Sequence, residues 1–222
     1  MKPWAQVSIA GIASGLAFFP LNLGFLAWVS FVPLLNVFIN SSLYKNLIYG
    51  YIFGFTFNFT AFYWIGLNSG ADKFTVIGSL VAAACYLSIF WALAGFLFSL
   101  LPRDHRSSFG GFLFPFLIVF VEWLRSFGVM GFPWSNIALS QSKYIYFIQH
   151  IDITGTYGVS FIVISFNVIV YNAIKKRIAL KNALFFILFV FLGLSLTGWS
   201  KVKSLSSSDK TIKTAIVQPN ID

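Results

Sequence analysis

Leu184-Phe185-Phe186-Ile187-Leu188-Phe189-Val190-Phe191-Leu192 runs for nine residues without a polar side chain. A strand of a membrane barrel would alternate polar and apolar positions over about 10 residues, and this stretch does not alternate. It reads instead as the middle of a helix exposed to hydrocarbon. About 20 apolar residues at ~1.5 Å rise cross a hydrocarbon core of ~30 Å. Similar runs recur along the chain, separated by short polar hinges. With 58% hydrophobic and 9% charged residues, the 222-residue chain has too few polar side chains to coat a water-soluble globule. The bilayer is its solvent, so function is sought at helix ends, in loops and at polar groups inside the membrane.

The runs predict an all-α polytopic membrane protein with about seven transmembrane helices, at 5–19, 23–39, 47–67, 74–101, 109–124, 157–174 and 183–199. The first run is short enough to resemble a signal peptide. No small-x-small cleavage site follows it and a second run begins at once, which favours a retained span. Basic residues set the orientation. With the N-terminus inside, the inner hinges carry Lys2, Lys45, Arg103, Arg106, Lys175, Lys176, Arg177 and Lys181, and the outer ones only Lys73, Arg125 and Lys143. This predicts a C-terminus outside, although Lys201, Lys203, Lys210 and Lys213 in the tail pull the other way. The net charge of +9 is thus read as orientation and contact with anionic lipid, not as a nucleic-acid footprint.

Few residues are equipped for chemistry. Cys85 is the single cysteine, which excludes an internal disulfide, and it lies mid-span as a small hydrophobe. His105 and His150 are far apart without companion ligands, so neither a metal nor another cofactor is expected. Glu122 stands three residues before Arg125, a spacing that allows the two to pair on a helix. The pair either pins the following loop or meets a substrate, since intramembrane charge is expensive and often functional. After it comes Gly131-Phe132-Pro133-Trp134. An aromatic belt at the headgroup level accounts for this turn. So does a lip that admits a phospholipid, with Asn136, Ser140 and Gln141 bonding its headgroup. Asn58, Thr60, Ser88 and Asn167 lie inside spans, where helix-to-helix hydrogen bonds are expected. No paired carboxylates, Ser-His-Asp order or phosphate-binding glycine loop appears. Residues 204–210 read as a linker and 211–217 as a lone strand, which needs a sheet to be stable.

The order Leu16-Ala17-Phe18-Phe19-Pro20, Pro33-Leu34-Leu35, Gly54-Phe55, Trp64-Ile65, Tyr86-Leu87-Ser88, Glu122-Trp123-Leu124-Arg125, Gly131-Phe132-Pro133-Trp134, Ser140-Gln141 and Gly158-Val159-Ser160-Phe161 resembles the membrane part of the bacterial apolipoprotein N-acyltransferase family. The tail from Ile212 to Ile221, with Gln218 and Asn220, is similar to the first strand of that family's α/β nitrilase-like domain. The resemblance implies an enzyme of the bacterial inner membrane. Such an enzyme moves an acyl chain from a phospholipid, usually phosphatidylethanolamine, to the N-terminal diacylglyceryl-cysteine of an apolipoprotein during lipoprotein maturation. It works through a thioester on a Cys assisted by Glu and Lys, a covalent route that divides one hard transfer into two easier ones. That triad has no counterpart among these residues. The expectation is therefore a membrane domain at 1–203, a linker at 204–210 and the start of a nitrilase-like domain at 211–222, inactive alone, as a truncation, a decayed gene or a split product with a separately encoded nitrilase-like half. Catalytic residues are expected to be none. Glu122, Arg125, Gly131, Phe132, Pro133, Trp134 and Gln141 are expected to hold the phospholipid. A small transporter and a non-catalytic assembly protein are the alternatives.

Overall fold

The computed structural model describes residues 1–18, 20–21, 23–106, 109–205 and 215, and the described residues are helices and turns without a strand. Eight α-helices follow in order: α1 (Pro3–Leu16), α2 (Val32–Asn40), α3 (Leu43–Ala61), α4 (Lys73–Ser99), the single turn α5 (Arg103–Arg106), α6 (Phe109–Leu124), α7 (Ile151–Ile174) and α8 (Leu180–Ser204). Three segments, Lys73–Ser99, Phe147–Ile174 and Leu180–Ser204, are long and apolar enough to cross a membrane. Gly24–Asn40 and Gly111–Leu124 are shorter apolar segments. The expected strand at 211–217 and most of the expected linker lie outside the described residues.

The runs read from sequence are helical, with three corrections. The run 23–39 is not one rod. A 3-10 turn, Gly24–Trp28, precedes α2, and Pro33 sits in the first turn of that helix. Proline is pre-set for a helix start and lacks the N–H that a continuous helix would need there. The backbone groups freed at the break are taken up by Asn167 of α7, which accepts the Phe31 N–H at 2.9 Å and donates to the Ala27 carbonyl at 2.8 Å. In hydrocarbon a freed N–H or C=O must be satisfied from within the protein. The run 47–67 starts earlier, at Leu43, and its α-helix ends at Ala61, where Tyr63–Leu67 turns as a 3-10 segment. The run 157–174 also begins earlier, at Ile151, and is broken at Gly155, whose φ of 66° suits glycine.

Connections alternate between two ends of the bundle. Lys2, the α2–α3 turn, α5 and the α7–α8 hinge gather at one end, where Arg106 donates to the Ser41 carbonyl. The described residues between α1 and Gly24, with 61–73 and 124–151, gather at the other. Tightest of all is the α3–α4 seam. A side chain at Gly50 would meet the Trp91 carbonyl oxygen at 2.3 Å, and one at Gly95 would meet the Asn46 carbonyl oxygen at 2.1 Å. Small residues here let two backbones approach, the usual source of helix cohesion where lipid removes the hydrophobic drive. Phe31, Phe53, Phe57 and Trp91 fill the core beside this seam, with Phe53 and Trp91 ring centroids 4.8 Å apart. Of the other polar residues inside spans, Asn58, Thr60 and Ser88 each donate to a carbonyl of their own helix. The α8 helix lies at the periphery, with Phe185, Leu188, Phe189 and Leu192 exposed.

A Gly50→Val substitution should lower stability by roughly 1–3 kcal/mol through overpacking, read as an earlier unfolding midpoint in mixed micelles. Gly78→Val, at a position where nothing lies within 4 Å, should shift that midpoint by no more than a few tenths of a kcal/mol.

Candidate functional site: an aromatic groove beneath a pinned loop

Residues 126–149 leave α6 and return to α7 as a chain of turns, including Pro133–Ser135, Ile137–Gln141 and Phe147–His150. The segment holds short 3-10 turns but no α-helix or strand, yet Ser135, Asn136, Ile137, Ala138, Ser140 and Gln141 are all buried. Its polar groups therefore require partners inside the protein. Glu122 and Arg125 at the end of α6, 1% and 2% exposed, supply several of them. A Glu122 carboxylate oxygen accepts the Ile137 N–H at 2.6 Å. The Arg125 guanidinium donates to Ser135 and, at 3.0 Å, to Asn136 Oδ1, while the Arg125 carbonyl accepts the Phe132 N–H at 2.9 Å. Ser160 of α7 accepts the Ala138 N–H at 3.0 Å.

The direct Glu122–Arg125 ion pair suggested by the i, i+3 spacing is not formed. Among the described residues the ion pair within 4.0 Å is Lys201–Asp152, at 2.7 Å. The two buried charges point instead into the loop, each bonded to a different turn of it. Isolated charges out of water are costly unless bonded and balanced. Here the loop supplies the bonds, and the charges lie one helical turn apart.

Gln141 is likewise engaged inside the protein. It is fully buried, accepts the Trp28 indole N–H at 2.8 Å, and donates to the Gly24 carbonyl at 2.9 Å and Ser140 Oγ at 2.7 Å. Asn136, Ser140 and Gln141, read from sequence as headgroup ligands, thus face inward and hold the fold. Of the seven expected site residues, Glu122, Arg125 and Gln141 support the loop from beneath. Gly131 and Phe132 are half-buried, and Pro133 and Trp134 lie at the surface.

The surface turn borders a groove of about 540 Å³ lined by Phe18, Pro20, Phe62, Trp64, Trp134 and Leu139, among others. The Trp64 and Trp134 rings stack at 6.1 Å, Phe132 packs 5.3 Å from Trp134, and Phe62 meets Phe132 edge-on at 5.1 Å. A second hollow of about 430 Å³ shares Phe18, Pro20 and Tyr63 with the first and runs along Gly15, Phe59 and Thr60. None of the residues lining either hollow is charged. An arrangement of this kind suits a long apolar chain whose polar end reaches the interface. The described lining residues offer the hydroxyls of Thr60, Tyr63 and Ser142, and no carboxylate, imidazole or thiol. Trp64 was visible in the sequence only as part of a motif. Its meeting with Trp134 depends on α3 ending at Ala61, which the unbroken apolar run concealed.

Glu122→Ala should free the Ile137 amide to exchange with solvent and cost about 1–3 kcal/mol, the penalty of a buried donor without its acceptor. Glu122→Gln keeps a carbonyl oxygen in that place and should retain the protection. Hydrogen–deuterium exchange of the 135–141 peptide distinguishes the two.

The geometry has a counterpart among known proteins. Residues 10–169 match the family model described as the apolipoprotein N-acyltransferase N-terminal domain. In an alignment of 231 positions that takes in 100% of this chain, it is 28% identical to the apolipoprotein N-acyltransferase of Geobacter metallireducens, of which it covers 44%. It is 30% identical over 152 residues to the protein of the same name from Methylococcus capsulatus, covering 64% of this chain and 29% of that one. To the Rickettsia prowazekii protein it is 28% identical, over 96% of this chain and 43% of the relative. The chain thus spans less than half the length of these relatives. The matched region holds α2 to α6, the pinned loop and both walls of the groove, and this chain belongs to the apolipoprotein N-acyltransferase family through its N-terminal membrane domain.

Proposed function

We propose that this chain is the donor-holding membrane domain of an apolipoprotein N-acyltransferase in the bacterial inner membrane. The observation that carries the proposal is the uncharged aromatic groove between Trp64 and Trp134, at the bundle end formed by the pinned loop. A phospholipid acyl chain lies in the two connected hollows, and its headgroup rests on Gly131, Phe132, Pro133 and Trp134. Lipid tails are as apolar as the groove, so hydrophobic transfer contributes little here. Selection comes from ring packing and from the headgroup's bonds. Glu122, Arg125 and Gln141 take part by fixing the loop.

The bundle crosses the bilayer about seven times, with its N-terminus inside and the end of α8 outside, on the groove's side. A Glu-Lys-Cys set on a nitrilase-like domain following 204–210, in the same polypeptide or a separate one, receives the acyl group there and passes it to the apolipoprotein. Residues 1–203 are then the platform and not the catalyst. Cys85 does not serve as nucleophile, since it lies in the body of α4.

The test is complementation in cells depleted of their own enzyme. The 222 residues alone should leave lipoproteins unacylated at the amino group. Supplied together with a nitrilase-like domain, they should restore acylation, read by mass spectrometry of lipoprotein N-termini. Trp134→Ala in that setting should reduce acylation about tenfold, a loss of ~1.4 kcal/mol of binding, while the protein's abundance and helicity are unchanged. Full activity of the Trp134→Ala protein would remove the groove from the reaction.

A further inference from the structure

A third hollow lies at the opposite end of the bundle, remote from the loop and groove. It holds about 710 Å³ between α6, α7 and the start of α8, with Gly111, Pro115, Phe116, Phe161, Ser165 and Phe186 among its walls. Gly111 and Pro115 stand one turn apart on α6. The first has no side chain. The second lacks the N–H that would bond the Gly111 carbonyl. Together they take bulk from the α6 wall. Arg177, Ile178 and Ala179, all exposed, border the hollow at the α7–α8 hinge and give it a mouth there.

Three features make that mouth attractive to an anion. Lys175, Lys176, Arg177 and Lys181 are exposed within seven residues of sequence. The 25-residue α8 begins there with Ala179 as N-cap and no side-chain cap, so the positive end of its dipole is left to an outside acceptor. The third feature is a backbone outlier. The α7 end is closed by Lys176 N–H to the Ala173 carbonyl at 3.0 Å and Arg177 N–H to the Asn172 carbonyl at 2.9 Å. This is the double-bonded helix stop that glycine usually closes. Here Lys176 holds the left-handed position, with φ 56°, a conformation that penalises a residue with a Cβ. A strained position occupied by a lysine points to a use for the lysine.

We propose that this hollow and hinge form a binding site for an anionic phospholipid of the leaflet facing residues 175–181. One acyl chain lies between α6, α7 and α8, and the headgroup phosphate sits at the α8 N-terminus beside Arg177, within reach of Lys176 and Lys181, while Lys175 lies over the Tyr171 ring and borders a different hollow against α2. A zwitterionic lipid presents the same tail but adds a positive charge over the lysines. Basic hollows between transmembrane helices commonly take anionic headgroups. The site is independent of the acyl-donor groove and does not depend on the acyl-transfer reading.

Native mass spectrometry of the full chain in detergent micelles tests this, with phosphatidylglycerol and phosphatidylcholine of equal chain length titrated separately. Phosphatidylglycerol should bind saturably and at least tenfold more tightly than phosphatidylcholine. Lys176→Gly should weaken phosphatidylglycerol about fivefold, the share of one interfacial charge, without lowering the melting temperature, because glycine relieves the left-handed strain. Loss of affinity alongside retained stability separates a binding role from a structural one. Ser165→Trp should fill the hollow and abolish the preference. If that variant loses helicity, Gly111→Leu fills the same space from α6. Equal binding of the two lipids, an unchanged affinity in Lys176→Gly, or full displacement of the lipid by inorganic phosphate would overturn the proposal. So would a dimer that buries the hinge and excludes lipid.

Discussion

An unpaired backbone N–H in hydrocarbon has no water to turn to, and this single constraint organises the molecule. Helices meet it within themselves. The 126–149 segment cannot, and it persists because Glu122, Arg125, Ser160 and Gln141 bring polar groups to its turns from the helices and from within. The break ahead of α2 obeys the same rule through Asn167. Buried Glu122, Arg125, Ser160 and Asn167 thus each answer a specific interruption of helix. The irregular backbone in turn creates the groove, since a loop folded inward leaves its aromatic turn free to face Trp64.

How much of this could be read in the residues follows the same physics. Long apolar runs announce helices, and those at 74–101 and 109–124 fall within two residues of α4 and α6. The ends and breaks were harder. An apolar run has the same composition whether it winds as α-helix or as 3-10 turn, so the stop of α3 at Ala61 and the break at 29–31 were hidden. The sequence shows Pro33, but not that Asn167, more than 130 residues later, completes the break. The site was partly legible. The Gly131 to Trp134 turn stood out because glycine, proline and tryptophan together are rare inside apolar blocks. Glu122 and Arg125 stood out as charges near a span, and their spacing suggested a pair that pins the following loop or meets a substrate. Which loop groups they bind depends on how 135–141 doubles back, and that is a tertiary fact. Asn136, Ser140 and Gln141, weighed as headgroup partners in one of two readings, make bonds within the protein that a loop's polarity alone does not reveal.

The two ends of the bundle show a division of labour. One carries an uncharged aromatic groove beneath a fixed loop, and the other carries a basic hinge over an apolar hollow. The core between them, built on the Gly50 and Gly95 contacts with α4 and α3, is close-packed backbone with little room to relay movement. Membership in the apolipoprotein N-acyltransferase family is consistent with the occupant proposed for the groove, the apolar tail of a lipid.

The central claim is that the Trp64–Trp134 groove holds a phospholipid tail. A photoactivatable residue placed at position 64, in the chain reconstituted in bilayers of phosphatidylethanolamine and phosphatidylglycerol, tests it most directly. The account predicts a dominant single-lipid adduct at position 64, competed by added lipid with saturable dose dependence, against a diffuse, non-saturable yield at the lipid-facing position 185. Equal, non-saturable labelling at the two positions would contradict it.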